Sequence, residues 1–168
     1  PHAEIRAEVA KLCSRFPGEY WRNLDRDRAY PTEFVKALTE AGYLAALIPE
    51  EYGGAGLPLS AATAILETIH AEGCNGAACH AQMYIMGTLL RHGNAEQKSR
   101  YLPGIARGEL RLQAFGVTEP TTGSDTTKLK TRAVKKGNDR YVVSGQKVWT
   151  SRALHSDLML LLARTTPV

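Results

Sequence analysis

The hydrophobic period of the chain changes once, near residue 110, and this constrains the fold more than any other feature. Before that point apolar residues recur every third or fourth position, the spacing of one face of a helix. After it they alternate with polar residues, as along a half-buried strand. A single switch of this kind implies an all-α part followed by an antiparallel β part, an α+β arrangement with the two kinds of element segregated. We expect the α-helical part over residues 1–108 and the β part over 109–168.

In the helical part, Ile5, Val9 and Leu12 mark a helix over residues 4–15. Pro31 suits the first turn of a second helix and Glu33 complements its dipole. Phe34, Leu38 and Ala41 form the inner face of that helix and Gly42 ends it. Residues 48–56 hold one proline and three glycines and read as a loop. Further helices are expected over 60–72 and 78–92. The second of these is apolar on most sides (Met83, Ile85, Met86, Leu89, Leu90), the pattern of a buried helix, and Gly93 stops it. Asn94 then caps a helix running through Gln97 and Tyr101.

In the β part, residues 110–115 read as a strand. Leu129, Thr131 and Ala133 share one face of a strand over 128–135; the turn 137–139 joins it to a hairpin partner at 141–143. Residues 148–149 and 158–162 are expected to be further strands. So few strands cannot close a barrel or complete a sandwich, and an exposed last edge invites aggregation. The natural protein is therefore expected to continue past Val168. Because the chain starts with Pro1, its natural start is expected upstream, and a targeting segment there stays open.

Composition narrows the function classes. Of 168 residues, 43% are hydrophobic and 23% charged, ordinary for a globular chain able to form a core. The net charge of +4 comes from 21 basic and 17 acidic residues scattered along the chain. That argues against nucleic acid and is compatible with a small anionic ligand. Cys13, Cys74 and Cys79 form no regular framework, which points to a reducing compartment. Cys74 and Cys79 with His70 and His80 do not repeat a zinc spacing, so no metal site is expected. No apolar run reaches membrane-span length and no signal peptide is visible, so no membrane partner is expected. The expected location is cytoplasmic, or the mitochondrial matrix if a targeting segment was lost.

Three motifs carry a resemblance. The run Phe115-Gly116-Val117-Thr118-Glu119-Pro120-Thr121-Thr122-Gly123-Ser124-Asp125 resembles a signature of the acyl-CoA dehydrogenase family. Gly145-Gln146-Lys147-Val148-Trp149-Thr150-Ser151 is a second match. Ile48-Pro49-Glu50-Glu51-Tyr52-Gly53-Gly54, with Gly56 and Leu57, is a third. Their order and separation also fit, and the resemblance covers nearly the whole chain.

The resemblance implies an α-helical N-terminal domain, a central β-barrel-like domain and a C-terminal four-helix domain, of which this chain corresponds to the first and roughly half of the second. It implies FAD as cofactor, an acyl-CoA thioester as substrate, an electron-transfer flavoprotein as acceptor, and a homo-oligomer. The implied reaction removes the α-proton with a glutamate and passes a hydride from the β-carbon to the flavin. That base is expected in the C-terminal domain. Glu119, Glu50 and Glu51 are not expected to replace it, so no catalytic residue is expected in this chain.

By the same resemblance, Phe115, Gly116, Val117 and Thr118 lie against the isoalloxazine and bond its pyrimidine edge. Gly123 and Ser124 meet the flavin pyrophosphate, and Ser124 also meets the near end of the acyl-CoA. Trp149 packs beside the ring, Ser151 supplies the hydroxyl that bonds flavin N5, and Thr150 between them is also cofactor-binding. Met86 and Leu90, with Met83, line an acyl tunnel, although core packing explains these side chains equally well. Thr121-Thr122 and Thr150 depart from the commoner family residues. Two other readings stay open: a relative acting as a flavin monooxygenase or nitroalkane oxidase, and a non-catalytic module binding flavin or acyl-CoA.

Overall fold

The computed structural model describes residues 1–138 and 140–166. They fall into two compact units, Pro1–Leu112 and the chain from Gln113 onward.

The first unit is helical: α1 Ala3–Cys13, α2 Gly18–Asp27, α3 Thr32–Glu40, α4 Leu59–Ala71, α5 Ala77–His92 and α6 Ala95–Ala106. Val9, Leu12, Phe34, Leu38, Ile65, Ile69 and Met83 meet in its core. Burying large apolar side chains of this kind stabilises a fold by roughly 1.5–3 kcal/mol each. Asn94 caps α6 through a reciprocal box: its Oδ1 accepts from Gln97 N at 2.8 Å, and Gln97 Oε1 accepts from Asn94 N at 3.0 Å. Among the described residues no helix is long and apolar enough to cross a membrane.

Helix α2 was not expected from the sequence. It carries few apolar residues among many charges, and none of its residues is fully buried. What holds it is an aromatic cluster. Tyr20 packs edge-on to Phe16 at 5.1 Å, and Trp21 to Phe34 at 4.9 Å. Trp21 Nε1 also donates to Phe16 O at 3.1 Å.

Residues 48–57 contain a single 3-10 turn, Glu50–Tyr52, inside the expected loop. The segment is folded back tightly. Ala55 N donates to Ala45 O (3.2 Å), Gly56 N to Ile48 O (2.8 Å) and Leu57 N to Ala46 O (2.7 Å). The turn also makes Gly54 N donate to Pro49 O at 3.2 Å.

The second unit has two small sheets. Strand β1 (Leu112–Gly116) pairs with β4 (Leu158–Leu161), and β2 (Arg132–Lys136) pairs antiparallel with β3 (Arg140–Ser144). The hairpin register sets Arg132 opposite Ser144 and Lys136 opposite Arg140. A parallel bridge joins Arg132 to Arg164, so the pairing is not antiparallel throughout. The described strands form no closed barrel, and with the helical unit they make an α+β chain with a partial barrel-like second part. The expected turn at 137–139 includes position 139, which lies outside the described residues.

Three boundaries differ from expectation. Strand β1 starts at Leu112, not at 110, because Leu110 N donates to Gly104 O at 3.1 Å and closes the end of α6. Residues 126–128 form a 3-10 turn, so β2 starts at Arg132; Leu129 and Thr131 are nonetheless buried on one face. Residues 148–149 are not a strand. Val148 N donates to Thr118 O at 2.9 Å, and Trp149 has φ 60°, a left-handed conformation that cannot extend a strand.

Candidate flavin and acyl-CoA site

The loop 115–125 leaves the end of β1, and the loop 145–151 leaves the end of β3. The fold ties these two motifs together through one buried ion pair. Lys147 Nζ lies 3.0 Å from Glu119 Oε1, with side-chain exposures of 9% and 3%. The same ammonium donates to Val117 O at 2.9 Å. Glu119 also accepts from the N–H groups of Lys130 (2.6 Å) and Thr131 (2.8 Å). Gly145 is required beside it: a Cβ there would sit 2.7 Å from Thr131 Cα.

These contacts hold the Glu119 carboxyl down at about 2, from an ordinary value of 4.5. The Thr131 hydroxyl facing the carboxylate is the largest influence, opposed by burial and followed by the Lys130 and Thr131 N–H groups and Lys147. That hydroxyl does not reach hydrogen-bond geometry, so the two amides and the ammonium are the firmer contacts. A carboxylate held so acidic is a poor proton acceptor near neutral pH.

The sign of the pH dependence follows. The folded value lies below the unfolded one, so ionised Glu119 stabilises the fold. That contribution is complete above about 4.5 and is lost as pH falls toward 2. Near-UV circular dichroism is expected to show the second unit loosening in this window, and Glu119→Gln is expected to flatten that limb while lowering stability at neutral pH. Identical acid limbs in the two proteins would rule this out.

The other expected site residues in this unit divide by exposure. Gly116 is buried, while Phe115, Val117, Thr118, Gly123 and Thr150 are half-buried. Ser124 and Ser151 are exposed, and Trp149 is 88% exposed. A large indole held in the left-handed region and left in solvent is a strained, open arrangement, costing of order 1–3 kcal/mol in backbone conformation alone. Arg152 is left-handed as well (φ 59°), and its Nε donates to Gln113 O at 3.2 Å. Gly123 leaves room over its loop: an added Cβ would meet only Thr118 Cγ2, at 3.6 Å. Beside Ser124, Asp125 is engaged by Thr127 N and by Lys128 at 3.1 Å.

These features fit a flat, acceptor-bearing ring with an anionic tail: an exposed indole, hydroxyls at 150 and 151, and an open Gly-Ser loop. Met83, Met86 and Leu90 lie on α5 in the helical unit. Met83 belongs to the core cluster, Met86 is fully buried and Leu90 half-buried. The three thiols are free and buried, and burial pushes Cys13 and Cys79 up to about 12, which makes them unreactive. No group of described residues could hold a metal ion.

The sequence reading overlooked Lys147 and Arg152, and treated Glu119 only as a candidate base. Part of the signal was present: the second motif carries a single charge, Lys147, while the first carries two opposite charges that could meet it, Glu119 and Asp125.

A helical unit followed by a β unit whose two motif loops are latched together defines an α+β chain. Family comparison agrees along the chain: residues 1–109 match the acyl-CoA dehydrogenase N-terminal domain and residues 114–168 the acyl-CoA dehydrogenase middle domain. The chain belongs to the acyl-CoA dehydrogenase family. It is 40% identical over 141 residues to (2S)-methylsuccinyl-CoA dehydrogenase of Cereibacter sphaeroides, covering 83% of this chain and 25% of that protein. It is 33% identical over 167 residues to the mitochondrial isovaleryl-CoA dehydrogenase of Pongo abelii, covering 96% of this chain and 39% of that protein. A crystal structure of an acyl-CoA dehydrogenase from Geobacillus kaustophilus superposes with a TM-score of 0.87 at 28% identity, over 99% of this chain and 43% of that one. The chain thus spans well under half the length of these relatives.

Proposed function

We propose that this chain supplies the flavin-binding face and part of the acyl-CoA site of an FAD-dependent acyl-CoA dehydrogenase. The observation that carries the proposal is the latched pair of loops, 115–125 and 145–151, in a chain of this family. When bound, FAD supplies the acceptor for the hydride leaving the β-carbon, giving the 2,3-enoyl-CoA.

The chain's own residues orient and surround the ligands. Phe115, Gly116, Val117 and Thr118 present the strand end to the ring and its pyrimidine edge. Trp149 covers the ring from one side, and Thr150 and Ser151 put hydroxyl groups at its reactive edge. Gly123 and Ser124 give the pyrophosphate a loop that admits an anion closely, and Ser124 extends the same contact to the acyl-CoA. Leu90 offers apolar surface to the acyl chain, and Met86, fully buried on the same helix, supplies pliable packing. The base that takes the α-proton belongs to the C-terminal helical domain that the family resemblance implies, since Glu119 is committed to its ion pair. An electron-transfer flavoprotein is the proposed acceptor, a homo-oligomer the proposed assembly, and a reducing compartment the proposed location.

The test uses the full-length protein loaded with FAD. Anaerobic addition of saturated acyl-CoA thioesters of short, long and branched chains is expected to bleach the visible flavin band with at least one of them. An FAD-loaded protein that no thioester bleaches would overturn the proposal.

A further inference from the structure

We propose that Lys147 and Glu119 are a positioning pair that fixes the Val117–Thr118 peptide, and so turns the Thr118 N–H toward a hydrogen-bond acceptor on the bound ligand. This rests on the reading of 115–118 as the ligand edge of the site.

Three successive peptide groups are held by hydrogen bonds to their carbonyls. Gly116 O accepts from Leu162 N at 3.0 Å, Val117 O from Lys147 Nζ at 2.9 Å, and Thr118 O from Val148 N at 2.9 Å. None of the peptide bonds is cis. In a trans peptide the N–H points opposite to the C=O. Each carbonyl bond therefore dictates where the next residue's N–H points, and the Thr118 N–H is directed away from Lys147. The outer two groups are fixed by backbone partners. The middle one is fixed by a side chain, so its orientation depends on where the Lys147 ammonium sits.

Glu119 sets that position. Its carboxylate lies 3.0 Å from the ammonium, is itself held by two backbone N–H groups, and is almost wholly buried. A buried ammonium needs such a partner, because an unpaired one is strongly disfavoured away from water. The aliphatic stem runs past Gly116, whose added Cβ would be 3.6 Å from Lys147 Cγ, and the tight Gly145–Thr131 approach restricts the segment leading into the lysine. The pair thus does more than join two loops: it chooses which face of one peptide meets the ligand.

A purely structural ion pair and a positioning pair separate in a double variant. Lys147→Met leaves the Glu119 carboxylate buried without its cation and removes the donor to Val117 O. Adding Glu119→Gln removes the stranded charge but does not restore that donor. In full-length protein labelled with 15N-threonine, the Thr118 amide resonance is expected to move in both Lys147→Met and the double variant. FAD affinity is expected to fall at least tenfold in both, whereas the double variant regains much of the thermal stability lost in the single one. Lys147→Arg is expected to keep most of the affinity. A wild-type Thr118 resonance and wild-type FAD affinity in Lys147→Met, or in the double variant, would overturn the assignment. So would a double variant that stays unfolded, since the pair would then be structural. Should the wild-type protein bind no FAD, the functional reading fails, while the Thr118 resonance of ligand-free protein still decides the positioning role.

Discussion

Gly54→Ala is expected to destabilise the helical unit by about 3 kcal/mol, at the upper end of what added volume costs in a packed interior. The first Cβ at this position would lie 2.6 Å from the Ile48 carbonyl carbon, with the Ile48 oxygen and Cβ closer still. Neither side can yield cheaply. Ile48 is fully buried, and its carbonyl already accepts from Gly56 N at 2.8 Å. On either side the segment is pinned by Ala55 N to Ala45 O and by Leu57 N to Ala46 O. A methyl group must therefore push backbone against backbone, and the strain falls on the packing of the turn Tyr43–Ala45 against the core. Urea unfolding followed by far-UV circular dichroism reads this as a lower midpoint with an unchanged slope. An unchanged midpoint would show that the turn opens freely and that its close approach has no energetic weight.

The second large effect is on the ligand. Ser124→Asp is expected to lower FAD affinity roughly ten- to a hundredfold. Ser124 is exposed in a loop where Gly123 leaves open space, and the neighbouring carboxylate of Asp125 is already occupied by Thr127 and Lys128. Against a phosphate a few ångströms away an added carboxylate contributes a repulsion between about 1 and 4 kcal/mol, depending on how much water remains. Because the repulsion is screened by salt, the loss should shrink at high ionic strength. Ser124→Asn, of similar size and no charge, should lose far less. Helical content should be unchanged in both, since α1 to α6 belong to the other compact unit. Equal FAD affinity in Ser124→Asp and the parent protein would remove the phosphate role of this loop.

How much of this was legible in the sequence depended on the kind of force involved. Elements held by burial of a periodic face were readable: α4 and α5 lie within a residue of expectation, and the start of α6 with its Asn94–Gln97 cap follows from residue types alone. Helix α2 was not, because the partners of its Tyr20 and Trp21 lie outside it: Phe16 precedes its first turn and Phe34 belongs to α3. The strand proposed at 148–149 failed for a related reason. Val-Trp has strand propensity, yet its amide is claimed by Thr118 and the backbone of Trp149 turns left-handed, tertiary choices that override propensity. In the site, the motifs located the loops but not the device that joins them. Glu119 was weighed only as a base and set aside, and Lys147 drew no reading at all. Only their distance of 3.0 Å and their burial show them as partners. The third motif was readable as a loop, but not why it needs its glycines: at Gly54 backbone passes close to backbone, while Gly53 and Gly56 take positive φ values of 84° and 58°.

We propose that the full-length protein dehydrogenates an acyl-CoA using the loops 115–125 and 145–151. The most direct test is a single anaerobic turnover, with FAD-loaded protein mixed with an excess of the thioester that bleaches it and the products quantified by mass spectrometry. One 2,3-enoyl-CoA is expected for each flavin reduced, with no oxygen incorporated. Flavin reduction without enoyl-CoA, or an oxygenated product on admitting air in place of the enoyl thioester, would contradict the proposal.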